Sequence, residues 1–337
     1  MVHGFDQRRL SRITNLCDRY IESGKFPCAQ VQVTQGDEVI LRHTTGKADI
    51  EEGIDLSEDA IFRIYSMTKP LTSIGLMQLY EKGDFILEDP VEKFLPAFRD
   101  PQVLIGGSYL KPALRPAQTI LTVRDMLMHT SGLTYGFHFA NNLDKMYRES
   151  KFGSIWGQKN EAIETLEETV DKLGEMPLLF DPGTNWNYSM STDVCGRLIE
   201  VISGQNLSDY LNENIIEPLG MSDTGFHVVP EKRHRFTSNY AFTPENPLMK
   251  IDEASKSHYL EPARFLSGGG GMVSTTDDYQ RFTFMLLRGG EFGGERIIGR
   301  HTLEFMTQNH LPNGRTLNEF GQSTFTETRL EGMGFGL

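Results

Sequence analysis

A serine three residues ahead of a lysine, Ser66-Met67-Thr68-Lys69, stands directly before a long apolar run. On a helix, positions i and i+3 share a face, so the Ser66 hydroxyl and the Lys69 amine would meet. A serine hydroxyl is a poor nucleophile by itself, and an adjacent base is one way to activate it. Lysine can be that base only if burial lowers its pKa toward neutrality. A helix beginning at this serine would also offer backbone N–H groups to a developing oxyanion. The chemistry suggested is acyl transfer through a serine ester. The plainer alternative makes Ser66 a helix N-cap and Lys69 a solvated first-turn lysine. S-x-x-K is short enough to arise by chance, and Ser108-Tyr109-Leu110-Lys111 repeats it. That second copy is expected in a loop, because Gly106-Gly107 precede it and Pro112 follows.

Acyl-enzyme chemistry needs a group that protonates the leaving group and later deprotonates a water. Tyrosine can serve when a nearby cation lowers its pKa. The stretch 181–190 reads as a turn, then an aromatic-rich loop, then the start of a helix at Ser191, which makes Tyr188 the candidate. The alternative is a buried loop tyrosine. Tyr135, Phe137 and Trp186 would line an acyl or alcohol pocket, or equally belong to the core. His129, at a helix end, reads more simply as a cap or packing residue. The nine histidines include no His-Glu-x-x-His, and there is no Cys-x-x-Cys, so neither a metal nor a cofactor is expected. No Gly-x-Ser-x-Gly is present, so the nucleophile elbow of an α/β-hydrolase is missing. Gly268 to Gly271 lack the Lys-Ser/Thr of a phosphate loop, and a close backbone approach is expected there.

The elements that must position these residues follow from periodicity. Leu10, Ile13, Leu16, Cys17, Tyr20 and Ile21 predict a helix over 5–24. Two strands are expected around Val31–Val33 and Val39–Leu41, turning at Gln35-Gly36-Asp37. A short strand at Ile61–Ile64 delivers the chain to Ser66, and a buried helix is expected over 67–82. Residues 84 to 135 read as loop-rich, with a short helix at 122–129 whose Thr122 and Asp125 resemble a capping box. Helices are predicted at 161–173, 191–203, 207–217, 278–287 and 301–308. Short strands are expected at 228–230 and 236–241, and 332–337 reads as half a strand.

With 337 residues, 38% hydrophobic and 23% charged, a packed core is expected in one large two-lobed unit or two domains. The net charge of −13 argues against nucleic acid and anionic membrane surfaces. No stretch approaches the length of a membrane span and no secretory leader is visible, so no membrane partner is expected. Three cysteines, Cys17, Cys28 and Cys195, fit reduced core residues in a cytoplasmic protein. The oligomeric state is left open.

Taken together, Ser66-Met67-Thr68-Lys69, His129-Thr130-Ser131-Gly132-Leu133 and Pro182-Gly183 leading to Tyr188-Ser189 resemble the serine β-lactamase and penicillin-binding superfamily. Within it, the chain most resembles the family VIII carboxylesterases, which are similar to class C β-lactamases. The stretches 217–226 and 268–279 are similar to that family as well, and the resemblance runs over roughly 10–337. It implies an α+β, β-lactamase/transpeptidase-like fold: an antiparallel sheet flanked by helices (1–75 and 226–337), a mostly helical lobe (76–225), and the site between them. It implies Ser66 as the acylated nucleophile, Lys69 as base or proton relay, Tyr188 as proton shuttle and the Ser66 N–H as one oxyanion donor. A small-molecule ester is the implied substrate. β-Lactam or D-Ala-D-Ala peptide hydrolysis, acyl transfer, and binding without catalysis are the alternatives. Tyr188-Ser189-Met190 lacks the asparagine of the class C Tyr-x-Asn, which favours simple esters. The family's third motif, Lys-Thr-Gly or His/Trp-Gly-Gly, is not found, and Trp156-Gly157 falls in the helical lobe. A C-terminally incomplete chain is therefore expected, with a bare sheet edge and a loss of about 10²–10³ in rate from one missing oxyanion donor.

Overall fold

The computed structural model describes residues 4–36, 38–150, 165–243, 245–321 and 332–337. Helix α1 (Gln7–Glu22) begins where the Asp6 side chain accepts the Arg8 N–H. It packs on a hairpin of β1 (Cys28–Gln35) and β2 (Glu38–Asp49), antiparallel with Cys28 opposite Gly46 and Gln35 opposite Glu38. The short strand β3 (Ile54–Asp55) pairs with the far edge of β2. Strand β4 (Phe62–Arg63) then leads through one tight turn, 65–67, into α2 (Thr68–Lys82).

Helix α2 is apolar on nearly every side, the pattern of a helix buried all round. Leu71, Ile74, Leu76, Met77 and Leu79 are all buried, and Gly83 ends the helix in the left-handed conformation. The region expected to be loop-rich contains a hairpin, β5 (Gln102–Ser108) and β6 (Lys111–Pro116), with Ser108 opposite Lys111 at its tip. Gly106, Gly107 and Pro112 read as loop punctuation in sequence. Here Gly107 instead accommodates the facing strand: a Cβ on it would lie 2.3 Å from the Lys111 carbonyl oxygen.

Helix α3 (Val123–Leu127) closes both bonds of the capping box between Thr122 and Asp125. After it come α4 (Asn142–Glu149), α5 (Leu166–Gly174), α6 (Ser191–Ser203) and α7 (Leu207–Leu211), the last continuing as a π turn through Ile216. Part of the helix predicted at 161–173, and Trp156-Gly157, lie outside the described residues. Helix α6 crosses α2 at Gly75, where a Cβ would stand 3.3 Å from Ile199 on α6 and 2.9 Å from Leu211 on α7.

The strand expected at 228–230 gives way to a helical turn, 230–235, because Pro230 sits at its first position. Strands β7 (Asn239–Ala241) and β8 (Met249–Asp252) form a small hairpin. Strand β9 (Val273–Ser274) pairs antiparallel with β4, and α8 (Thr276–Leu287) and α9 (Arg300–Met306) follow. Residues 332–337 start in a turn and, among the described residues, form no strand, so the half-strand expected there is not seen. Their backbone bonds go to loops: His310 N–H to Phe335 O at 2.8 Å and Leu337 N–H to Met306 O at 3.0 Å. Among the described residues, no helix is long and apolar enough to cross a membrane.

Candidate active site

Ser66 is exposed at the mouth of α2, and three features hold it there. Arg63 on β4 is buried, with Nε on Asp252 Oδ2 at 2.8 Å, a bond from NH1 to the Thr237 carbonyl and its guanidinium over the Phe236 ring. Tyr65 takes a positive φ of 42°, a conformation uncommon for a bulky residue and one that must be held from outside. Asn239 Nδ2 supplies that hold by donating to the Tyr65 hydroxyl at 2.5 Å. Tyr279 on α8 adds a bond to the Met67 carbonyl at 3.0 Å.

One turn along the helix, Lys69 Nζ stands 3.2 Å from Ser66 Oγ, 3.2 Å from the Tyr135 hydroxyl and 2.6 Å from the Gly269 carbonyl oxygen. The sequence spacing supplies the first contact; the other two come from chain 66 and 200 residues away. The glycine stretch is the close backbone approach expected of it. A Cβ on Gly269 would meet an Asp193 carboxylate oxygen at 2.6 Å and the Tyr135 hydroxyl at 3.0 Å. Thr72 on α2 donates to the Gly268 carbonyl at 2.8 Å, fixing the stretch against the helix. Burial pulls the Lys69 ammonium down to about 8, with the buried Asp193 carboxylate opposing.

Tyr188 donates its hydroxyl to Ser66 Oγ at 2.5 Å, from 122 residues along the chain. Its loop is tied down by the turn after α3. Asn187 N–H donates to the His129 carbonyl at 2.9 Å, and Asn187 Nδ2 to the Leu133 carbonyl at 2.9 Å. Arg115 on β6 grips Asp181 through two bonds of 2.8 and 2.6 Å, fixing the other end of the loop. The sequence predicts here a phenol whose pKa a nearby cation lowers. The structure gives the opposite direction: burial pushes the Tyr188 phenol up, and only its bond to Ser66 pulls it down. The Lys69 ammonium lies over the ring face, 4.6 Å from its centre, rather than against the hydroxyl. Tyr188 is therefore a proton donor in the resting site.

Tyr135 and Phe137 stack at 4.6 Å; the first is buried and reaches Lys69, the second is half-buried. Trp186 is 5% exposed and closes a small cluster with Met128, Leu311, Leu317 and Phe320, its ring 6.4 Å from that of Tyr188. His129 is buried behind Tyr188 at 5.0 Å between rings, with Nδ1 at 3.1 Å from Ser189 Oγ. Burial holds the His129 ring neutral, far below the ordinary histidine range. Among the described residues no group of three or more His, Cys, Asp or Glu converges as a metal-ligand set. Sequence reasoning missed Asp193. A polar residue in the first turn of a helix reads as capping, and nothing local shows that its helix points it at Lys69.

Chemically, an exposed hydroxyl is contacted by an amine of depressed pKa on one side and a protonated phenol on the other. That arrangement can deprotonate a nucleophile and protonate a leaving group. The family model described as Beta-lactamase matches residues 13–337. An uncharacterized protein of Mycobacterium tuberculosis is 30% identical over 96% of this chain and 76% of its own. Esterase EstB of Burkholderia gladioli is 29% identical over 80% of this chain and 68% of its own. The solved structure of EstCE1, described as a hydrolase with promiscuous acyltransferase activity, superposes with a TM-score of 0.72 at 26% identity, covering 89% of this chain and 77% of that one.

Proposed function

The chain belongs to the beta-lactamase family and shares its fold, as a serine hydrolase, and from that premise we propose that it cleaves short-chain or aryl carboxylic esters through an acyl-enzyme on Ser66. The observation that carries this reading is the pair of contacts on one hydroxyl, Lys69 Nζ at 3.2 Å and Tyr188 OH at 2.5 Å from Ser66 Oγ. Neutral Lys69 takes the Ser66 proton as Oγ attacks the ester carbonyl. The Ser66 N–H, at the head of α2, stabilises the oxyanion. Tyr188 gives its proton to the departing alcohol and then, as phenolate, takes a proton from the attacking water; as the tetrahedral adduct collapses, Lys69 returns its proton to the departing Ser66 Oγ, which frees the acid product and resets all three groups. Phe137 presents a half-buried wall for the acyl or alcohol group, with Tyr135 stacked behind it and Trp186 supporting Tyr188.

p-Nitrophenyl acetate and butyrate are expected to be hydrolysed, with the acyl group found by mass spectrometry on the peptide containing Ser66. Turnover of a chromogenic cephalosporin in the absence of ester cleavage would replace this reading by β-lactam hydrolysis. Tyr188→Phe is expected to lower kcat by about 10²–10⁴-fold with little change in KM, because the ring stays and only the proton path is lost. An unchanged kcat would remove Tyr188 from the mechanism.

The pH profile follows from the base. With Lys69 at about 8, about a tenth is neutral at pH 7, so kcat/KM should rise through pH 8 and level above it. A profile flat from pH 6 to 9 would contradict the assignment. A second reading, transfer of the acyl group to an alcohol instead of water, is favoured by the likeness to EstCE1. Gas chromatography of products after adding a short alcohol separates the two.

A further inference from the structure

Asp193 lies in the first turn of α6, 2% exposed, with no part in the steps above. Its Oδ1 accepts the Ser267 hydroxyl at 2.5 Å and the Gly269 N–H at 3.1 Å. Gly269 in turn presents its carbonyl to Lys69 Nζ at 2.6 Å. One residue, Gly269, thus stands between the carboxylate and the lysine: the acid on its N–H, the amine on its C=O. The approach tolerates no side chain, since a Cβ on Gly269 would stand 2.6 Å from Asp193 Oδ2. Carboxylate, glycine turn and lysine are one assembly, built from α6, 267–269 and α2.

We propose that Asp193 is a positioning residue for Lys69: its carboxylate pins the Ser267–Gly269 turn that grips the amine, and its buried negative charge faces that amine across the turn. This rests on the reading of Lys69 as the base. The groups facing Lys69 are Ser66, Tyr135 and Tyr188 at the site, His129 behind them, and Asp193 from α6. Of these only Asp193 is a carboxylic acid; burial raises its pKa, while the Ser267 hydroxyl, Lys69 and the Gly269 N–H favour the charged form. Burial lowers the proton affinity of Lys69, and Asp193 acts in the opposite direction. The sign is fixed. An acid near a cation raises its pKa, so removing the acid lets Lys69 lose its proton at lower pH.

Asp193→Asn tests this with little change of shape, because the amide oxygen can still accept from Ser267 and Gly269. The acid limb of kcat/KM is expected to move down by roughly one pH unit, with a lower plateau from a weaker base. A residue with a merely structural role would lower the rate and leave the limb in place, and that result overturns the proposal. A second readout does not depend on catalysis: the pH dependence of Lys69 modification by trinitrobenzenesulfonate, followed by peptide mass spectrometry. Half-maximal modification should fall by the same amount in D193N, and an unmoved midpoint overturns the proposal. If the unmodified protein hydrolyses no ester, the esterase reading fails while the labelling midpoint still decides the role of Asp193. Gly269→Ala, which forces the carboxylate away from the turn, covers the case in which D193N does not fold. Its labelling midpoint should shift in the same direction, and an unmoved one again overturns the proposal.

Discussion

Ser66→Ala is expected to lower kcat for p-nitrophenyl butyrate by about 10⁴–10⁶-fold, the scale on which an enzyme loses its nucleophile. Three features make the loss that large. Ser66 is exposed while its partners are wholly or partly buried, so it is the atom that an incoming carbonyl meets first. Both proton-transfer groups converge on its oxygen, Lys69 Nζ at 3.2 Å and the Tyr188 hydroxyl at 2.5 Å. The backbone at Tyr65 is held at a positive φ by Asn239, an arrangement that aims the following residue out of the helix mouth. Deleting the hydroxyl removes no core packing, so the melting temperature should stay within a degree or two. The check is a steady-state assay beside intact-protein mass spectrometry: wild type gains one acyl group from an activated ester and Ser66→Ala gains none. Retained activity with acylation elsewhere would move the nucleophile to another residue and void the mechanism.

Lys69→Met is expected to lower kcat by about 10²–10⁴-fold, and to abolish the step at pH 8 rather than shift it. Lys69→Arg should be no better. Arginine keeps its proton at any working pH, and its planar fork does not fit a niche bounded by Tyr135, Gly269 and Ser66. The stability effect should run the other way. A lysine whose folded pKa lies near 8, below its ordinary value of 10.5, is one the unfolded chain protonates more tightly. Stability from this site is thus lost below pH 8 and gained as pH rises from 8 to 10.5. Methionine removes that cost, so Lys69→Met should melt higher than wild type at pH 7 and lose the advantage by pH 10. Calorimetry at the two pH values, set beside the kinetics, reads both. A variant that melts lower at pH 7 would mean that the ammonium is well solvated, contrary to the niche described.

The local parts of the site were legible because their causes are local. The start of α2, the capping box of Thr122 and Asp125, and the facing of Ser66 and Lys69 depend on neighbours three or four residues away. Placing Tyr188 just before a helix was likewise a matter of reading a turn followed by an apolar period. The hairpin at 102–116 was missed because glycine and proline carry two meanings. They punctuate loops, and they also occupy a strand where the partner comes close, and only the partner tells the two apart.

What the sequence by itself determined is the family, the helix that sets Ser66 and Lys69 on one face, and Tyr188 as a candidate partner for them. What the tertiary structure decided is their electrostatic state. Lys69 is held by a carbonyl 200 residues away, and burial lowers its pKa against the opposing charge of a carboxylate on another helix. Tyr188 rests as a proton donor because burial raises its phenol pKa against the lowering by its bond to Ser66. A spacing rule reports which side chains can meet, since helix geometry is fixed by the backbone. A proton affinity is set by everything within a few ångströms, and that company is assembled only when distant segments fold together.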